Sequence, residues 1–335
     1  MNISDSLTRT VQDFFRTHLI SRRAVSPNTI SAYRDTLRML LSFAASRTHH
    51  TTVGITLDDL GRDTVLAFLD YIEKDRHNSP STRNSRLAAV QSFFRFVSEE
   101  DPTSINVSQR VLAIPYKRLP APLVTCLDRE EIEHILKLID RTKPAGRRDA
   151  ALLHFLYNTG ARAQEVVDLQ LPSVRLATPA QVRIMGKGRK ERLCPLWHET
   201  GVLIKDMLMD RGVELHQDVP LFVSTIGRPL TRFGLGHIIR MRVASAASTM
   251  PSLAKKKITP HTFRHSTALH LLQSGVEINM VRSWLGHASI ETTHSYVEID
   301  MRMKIEALKA CQAVKTTKGR PRWMRPDLLT WLETL

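Results

Sequence analysis

Apolar residues recur three and four positions apart through the first hundred residues. Leu7, Val11, Phe14, Phe15 and Leu19 form one stripe, and Ile30, Tyr33, Leu37, Leu40 and Leu41 form a second behind Pro27. Val65, Leu66, Phe68, Leu69 and Ile72 make a third, and Leu87, Val90, Phe93, Phe94 and Val97 a fourth. This spacing places each set on one side of an α-helix, so four amphipathic helices can bury their stripes in a small bundle. The pattern breaks from 101 to 122 around Pro102, Pro115, Pro120 and Pro122, which predicts a linker closing the first domain. Periodicity returns at Leu127-Asp128, where Asp128 and Glu131 have the spacing of a capping box. A helix is predicted over 147–158, stopped by Gly160. The runs 181–185 and 192–196 flank Gly186-Lys187-Gly188-Arg189, which predicts a β-hairpin. Helices are expected to resume near residue 231. The fold class expected is mainly α with a small β-sheet. A helical domain would cover 1–110, a linker 111–122, an α+β domain 123–310 and a basic tail 311–335. The tail carries a short apolar face in Leu328, Leu329, Trp331, Leu332 and Leu335 behind Pro326-Asp327.

Composition narrows the class. The 335 residues are 42% hydrophobic, enough for real cores, so wholesale disorder is excluded. No apolar run approaches the ~20 residues of a membrane span, and the amino-terminal stretch has no signal-peptide core. Cys126, Cys194 and Cys311 are odd in number and far apart, which suits a reducing cytosol better than a disulfide framework or a metal cage. Against 33 acidic residues stand 48 lysines and arginines, a net charge of +15. That imbalance points to a polyanion, with nucleic acid first among candidates. The run 183–192 concentrates Arg183, Lys187, Arg189, Lys190 and Arg192 against a single acid, Glu191. Asn28, Arg34, Arg38, Arg83 and Arg86 sit on the expected outer faces of the second and fourth helices. They are suited to phosphates and base edges, or to a merely solvated surface.

A sparse polar set accompanies this charge. Arg162 follows the Gly160 turn and lies one helical turn from Glu165. His261 and Arg264 share a helix face behind Pro260. Gly286-His287 separates two short helical runs, with Tyr296 after them. Two arginines can clamp a phosphate and hold the charge of a phosphorane. A histidine exchanges protons near neutrality, and a tyrosine hydroxyl is a nucleophile once deprotonated. A lysine on a glycine hairpin can protonate a leaving alkoxide. The run 276–296 also fits a plain DNA-binding helix-turn-helix.

In this order, TGAR at 159–162, GKGRKER at 186–192, HTFRH at 261–265 and LGHASIETTHSY at 285–296 resemble the boxes of the tyrosine recombinase (phage integrase) family. The resemblance covers nearly the whole chain. It implies a helical core-binding domain followed by an α+β catalytic domain, closing on DNA as a clamp. It assigns Arg162 and Arg264 as phosphate-clamping arginines, Lys187 as general acid to the 5′ oxygen and His261 as general base. His287 becomes a phosphate hydrogen-bond donor, Tyr296 the nucleophile and Glu165 the acid behind Arg162. Tyr157 and Ser295 are the fallback hydroxyls. Phe263 stands where leucine is usual, and Ser173 where aspartate is common. Asn28, Arg34, Arg83, Arg86, Arg189 and Lys190 are the candidate DNA-binding residues.

The activity expected is site-specific recombination through a 3′-phosphotyrosine link, serving integration, excision or transposition. The long tail after Tyr296 favours a mobile-element enzyme over a housekeeping Xer protein. No cofactor or metal is expected, because the chain lacks the carboxylate cluster of two-metal nucleases. The expected partners are duplex DNA with specific core sites and further copies of the chain. These would form a tetrameric synapse with exchange of the carboxy-terminal tail, and partner recombinases remain open. The expected location is the bacterial cytoplasm, at the nucleoid. The competing functions are a non-catalytic regulator using 276–296, a type IB topoisomerase-like enzyme and a metal-dependent nuclease.

Overall fold

The computed structural model describes residues 3–49, 51–119, 124–186, 188 and 190–286. The chain divides into two units, Met1–Pro122 and Leu123–Leu335. Among the described residues no helix is long and apolar enough to cross a membrane.

The first unit is a helical bundle. Helix α1 (Ile3–Asp13) runs on as a π-helical stretch, Phe14–Arg22, and is followed by α2 (Pro27–Thr48), α3 (Arg62–Lys74), α4 (Pro80–Glu100) and α5 (Ile105–Leu112). Helices α2 and α4 open alike. Ser26 and Ser79 cap them by accepting from the Thr29 and Thr82 backbone N–H at 3.2 Å, with Pro27 and Pro80 in the first turn. The predicted stripes bury one another: Leu40, Phe68, Leu69, Leu87, Phe93 and Phe94 are fully buried, and Phe14 meets the Phe93 ring edge-on at 5.4 Å.

The linker prediction needs correction. Residues 105–112 form a helix, and Val111 and Ile114 are buried in the bundle core. The prolines misled because they flank this short helix rather than interrupt it. Beyond α5 the chain is strapped along α4. Gln91 Nε2 donates to the Leu112 and Ile114 carbonyls, and the Asn84 amide exchanges two hydrogen bonds with the Lys117 peptide.

The second unit packs α6 (Arg129–Lys137), α7 (Pro144–Thr159), the five-residue α8 (Ala163–Val167), α9 (His198–Arg211), α10 (Arg232–Ala247), α11 (Pro260–Gln273) and α12 (Ile278–Leu285) around a small sheet. Strands β1 (Val174–Arg175), β2 (Gln181–Met185) and β3 (Glu191–Pro195) run antiparallel in that order. The register pairs Ile184 with Arg192 and Val182 with Cys194. The predicted hairpin is present, closed by the Gly186 N–H on the Lys190 carbonyl at 2.8 Å. Glu131 accepts from the Asp128 N–H at 2.9 Å, as the capping spacing predicted.

Two further elements are not visible in the sequence pattern. Strand β1 is too short to show alternation. Helix α9 carries Leu203, Ile204, Met207 and Leu208 at helical spacing, all buried, but Gly201 in its first turn disguises the start.

Candidate active site

The polar set in the second unit is assembled around two glycine turns. Helix α7 ends at Thr159, and Gly160 reverses the chain at φ +59°. A Cβ there would stand 2.4 Å from Leu285 Cδ2, so glycine is needed both for the left-handed turn and for the approach of α12. Arg162 follows as the residue capping α8. Glu165 reaches back one turn, accepting from the Arg162 backbone N–H at 2.9 Å and from Arg162 Nη1 at 2.7 Å. Its second oxygen also accepts from Arg192 Nη2 at 2.7 Å. Burial pushes the Glu165 carboxyl up, but the hydrogen bonds and charge of Arg192 and the bonds from Arg162 outweigh it and hold it below the ordinary carboxylate range.

Helix α11 starts at Pro260, capped by Thr259, which puts His261 in the first turn and Arg264 one turn later. Arg264 is only 3% exposed. Its Nη1 donates to the Gly160 carbonyl and its Nη2 to the Leu285 carbonyl, both at 2.7 Å. Arg162 Nη2 donates to the next carbonyl, Gly286, at 3.3 Å. Both arginines therefore reach the turn at 285–286, where α12 ends and Gly286 adopts φ +64°. His261 faces solvent beside them. Partial burial and the charges of Arg264 and Arg162 lower its pKa, so its imidazole is neutral at neutral pH and able to accept a proton. His265 lies behind it, ring centroids 6.4 Å apart, and burial with His261 and Arg264 pushes it down to about 4.

The structure thus brings together Arg162, Glu165, His261 and Arg264. Lys187, Arg189, His287 and Tyr296 lie outside the described residues, as does the whole tail. Lys190 is exposed at the hairpin. Tyr157, a fallback nucleophile, is half-buried and shares a 2.8 Å hydrogen bond with His270 Nδ1, and burial raises its pKa, so it is committed to the packing of α7 on α11. Among the described residues no group of three or more histidines, cysteines or carboxylates could hold a metal ion.

The candidate DNA-binding residues of the first unit divide. Asn28 and Arg34 are exposed on α2, Arg34 pairing with Asp35 at 3.1 Å. Arg86 is half-buried and ties α4 to α2 through Thr36 Oγ1 at 2.8 Å, beside a groove of about 650 Å³ lined by Asn28, Thr29, Thr82 and Ser85. Arg83 is a correction: it is not on the outer face. Positions 83, 87, 90 and 94 continue the apolar stripe of α4, and Arg83 is buried with its Nε 3.7 Å from Glu73. Arg192 is another. The basic run 183–192 suggests a phosphate contact, yet the Arg192 side chain is 8% exposed and ion-paired. The strand pairing held the signal, because Arg192 shares the inward face with Cys194.

Comparison with known proteins converges on one group. The model of the phage integrase family matches residues 125–303, and that of the phage integrase N-terminal SAM-like domain matches 11–101. A putative integrase/recombinase of Sinorhizobium fredii, y4rD, is 40% identical over 268 residues, covering 80% of this chain and 95% of its own. The tyrosine recombinase XerD of Oceanobacillus iheyensis is 32% identical over 293 residues, covering 86% and 93%. In fold, the chain is similar to the XerH site-specific recombinase bound to palindromic difH substrate, with a TM-score of 0.66 at 23% identity over 86% of this chain and 81% of that one.

Proposed function

Because the chain belongs to the phage integrase family and is a tyrosine site-specific DNA recombinase, we propose the following division of labour at its active site. Arg162 and Arg264 clamp the scissile phosphate. Tyr296 attacks phosphorus, forming a 3′-phosphotyrosine bond as the bond to the 5′ oxygen breaks. Lys187 gives the departing 5′ oxygen its proton, and His261 takes the proton of the tyrosine hydroxyl. His287 donates a further hydrogen bond to the phosphate. In the second step a partner strand's 5′-hydroxyl attacks the phosphotyrosine, which restores a phosphodiester and frees Tyr296. Bond energy is conserved, so no nucleotide triphosphate enters the balance.

The observation that carries this reading is the convergence of Arg162 Nη2 and Arg264 Nη2 on consecutive carbonyls, Gly286 and Leu285. That turn leads directly into His287. Two guanidiniums held at one backbone turn form a cationic seat for a phosphate dianion-like transition state. A helix-turn-helix regulator would have no use for Arg162 and Glu165 beneath such a turn.

The partners proposed are duplex DNA carrying core sites and three further copies of the chain in a synapse, with the carboxy-terminal tail exchanged between neighbours. The setting proposed is a mobile element in the bacterial cytoplasm, acting at the nucleoid. Asn28 and Arg86 at the α2–α4 groove, Arg34 exposed on α2, and Arg189 and Lys190 of the hairpin run are proposed to contact DNA. Incubation with a nicked suicide substrate in EDTA tests the chemistry. A protease-sensitive covalent protein–DNA band is expected, and its absence would remove the tyrosine mechanism.

A further inference from the structure

One member of the basic hairpin run does not behave as a phosphate contact. Arg192 sits on β3 opposite Ile184, on the inward face of the sheet. Its Nη2 donates to Glu165 Oε2 at 2.7 Å, and the two side chains are 8% and 5% exposed. Its guanidinium also lies against both glycines that bracket the site. A Cβ at Gly286 would stand 3.2 Å from Arg192 Cδ and Nη1, and one at Gly186 would stand 3.8 Å from Nη1 and 3.6 Å from Glu165 Oε1. Three segments therefore meet on one guanidinium. They are the base of the Lys187 hairpin, the carboxylate that holds Arg162, and the turn leading to His287.

We propose that Arg192 is a positioning residue for the recombination reaction. Through Glu165 it fixes the orientation of the Arg162 guanidinium, and through its packing against Gly186 and Gly286 it sets the spacing of the hairpin and the 285–286 turn. The proposal rests on the reading of Arg162 as a phosphate clamp. Arginine suits the task because its planar, permanently charged group is weakly hydrated and can be buried beside a carboxylate. At Gly286, where φ is +64° and a Cβ would stand only 3.2 Å from the guanidinium, glycine allows the backbone to approach that plane more closely than a side chain would permit. The Arg192 Nε is buried and has no hydrogen-bond partner among the described residues. That arrangement suits a group placed for its neighbours rather than for its own satisfaction.

The test uses the full chain with Arg192→Gln, Arg192→Lys, Glu165→Gln and the Arg192→Gln/Glu165→Gln double variant. Duplex binding, melting temperature and single-turnover cleavage of a suicide substrate are measured for each. Arg192→Gln is expected to bind duplex within about threefold of wild type and to cleave about 100-fold more slowly, the scale of a small misplacement of a reacting group. Arg192→Lys retains the charge and a donor for Glu165 but loses the planar fork, and is expected to recover about tenfold of that loss. The double variant is expected to cleave within about threefold of the slower single variant, since Arg192→Gln already disrupts the Arg192–Glu165 pair that the second substitution targets. Wild-type cleavage by Arg192→Gln would overturn the proposal. So would multiplication of the two single defects, or binding and melting losses in Arg192→Gln that match its cleavage loss with no recovery by lysine. Absence of any adduct from the wild type would instead overturn the underlying assignment of the chemistry.

Discussion

Replacing Glu165 by glutamine keeps the side chain's size and removes its charge. The wild-type carboxylate accepts three hydrogen bonds, from the Arg162 N–H, Arg162 Nη1 and Arg192 Nη2. A glutamine amide offers one oxygen, so at least one of these donors must face another N–H. The pair with Arg192 dominates the loss because both side chains are under a tenth exposed, whereas Arg162 is 33% exposed and screened by water. Removing one partner of a buried ion pair costs about 3–5 kcal/mol, and the wet side of this cluster favours the lower end, about 3 kcal/mol. With a urea dependence of about 2 kcal/mol per molar, the unfolding midpoint should fall by about 1.5 M. Trp197, Trp284, Trp323 and Trp331 all lie beyond the first unit, so tryptophan fluorescence follows the second unit alone. The sign with pH is fixed by the depressed folded pKa. The contribution of Glu165 is present in full above the unfolded value, about 4.3, and is lost as pH falls through the folded one. The stability gap between wild type and Glu165→Gln should therefore be widest near neutrality and begin to narrow only as pH falls below the unfolded value of about 4.3. Equal midpoints at neutral pH, or a gap undiminished at the acid end, would refute the buried charge pair.

Three further outcomes can be measured. His261 must be neutral to accept a proton and its pKa is lowered, so the acid limb of the single-turnover cleavage rate should have its midpoint below the ordinary histidine value of about 6.5; a midpoint at or above that value removes His261 as the base. Cleavage by Lys187→Ala should be restored on a substrate whose scissile 5′ oxygen is sulfur, since a thiolate leaves without a proton; equal defects on both substrates would move the acid elsewhere, with Lys190 next. Asn84→Ala should raise hydrogen exchange at the Lys117 amide by about fivefold, the worth of about 1 kcal/mol for a half-exposed hydrogen bond, while leaving the bundle folded; unchanged exchange would mean the strap is held by Gln91 and Glu73 alone.

Much of this architecture was legible because periodicity and turn chemistry agreed. The four stripes of the first unit, the Asp128–Glu131 box, the Gly160 stop and the Gly186 hairpin each depend on residues within one or two turns of each other. What escaped depends on distant partners. Helix α5 and the strap after it are specified by Gln91, Asn84 and Glu73 on other helices, and nothing in 101–122 announces them. Arg83 and Arg192 look like surface cations until a carboxylate from another element, Glu73 or Glu165, supplies the reason for their burial. The candidate site shows the same division. The i, i+3 pairing of Arg162 with Glu165 could be read directly, but the carbonyls of Gly160, Leu285 and Gly286 that gather the arginines could not.

The central claim is that Tyr296 forms the covalent bond to DNA at a site built by Arg162 and Arg264. Full-length wild type and Tyr296→Phe, incubated with a radiolabelled nicked duplex and chelator, decide it. Wild type should yield a covalent protein–DNA species, whose linked peptide, after protease digestion and mass spectrometry, carries the nucleotide on Tyr296. Tyr296→Phe should bind the same duplex and yield none. An undiminished adduct from Tyr296→Phe, or a nucleotide mapped to Tyr157 or Ser295, would contradict the account.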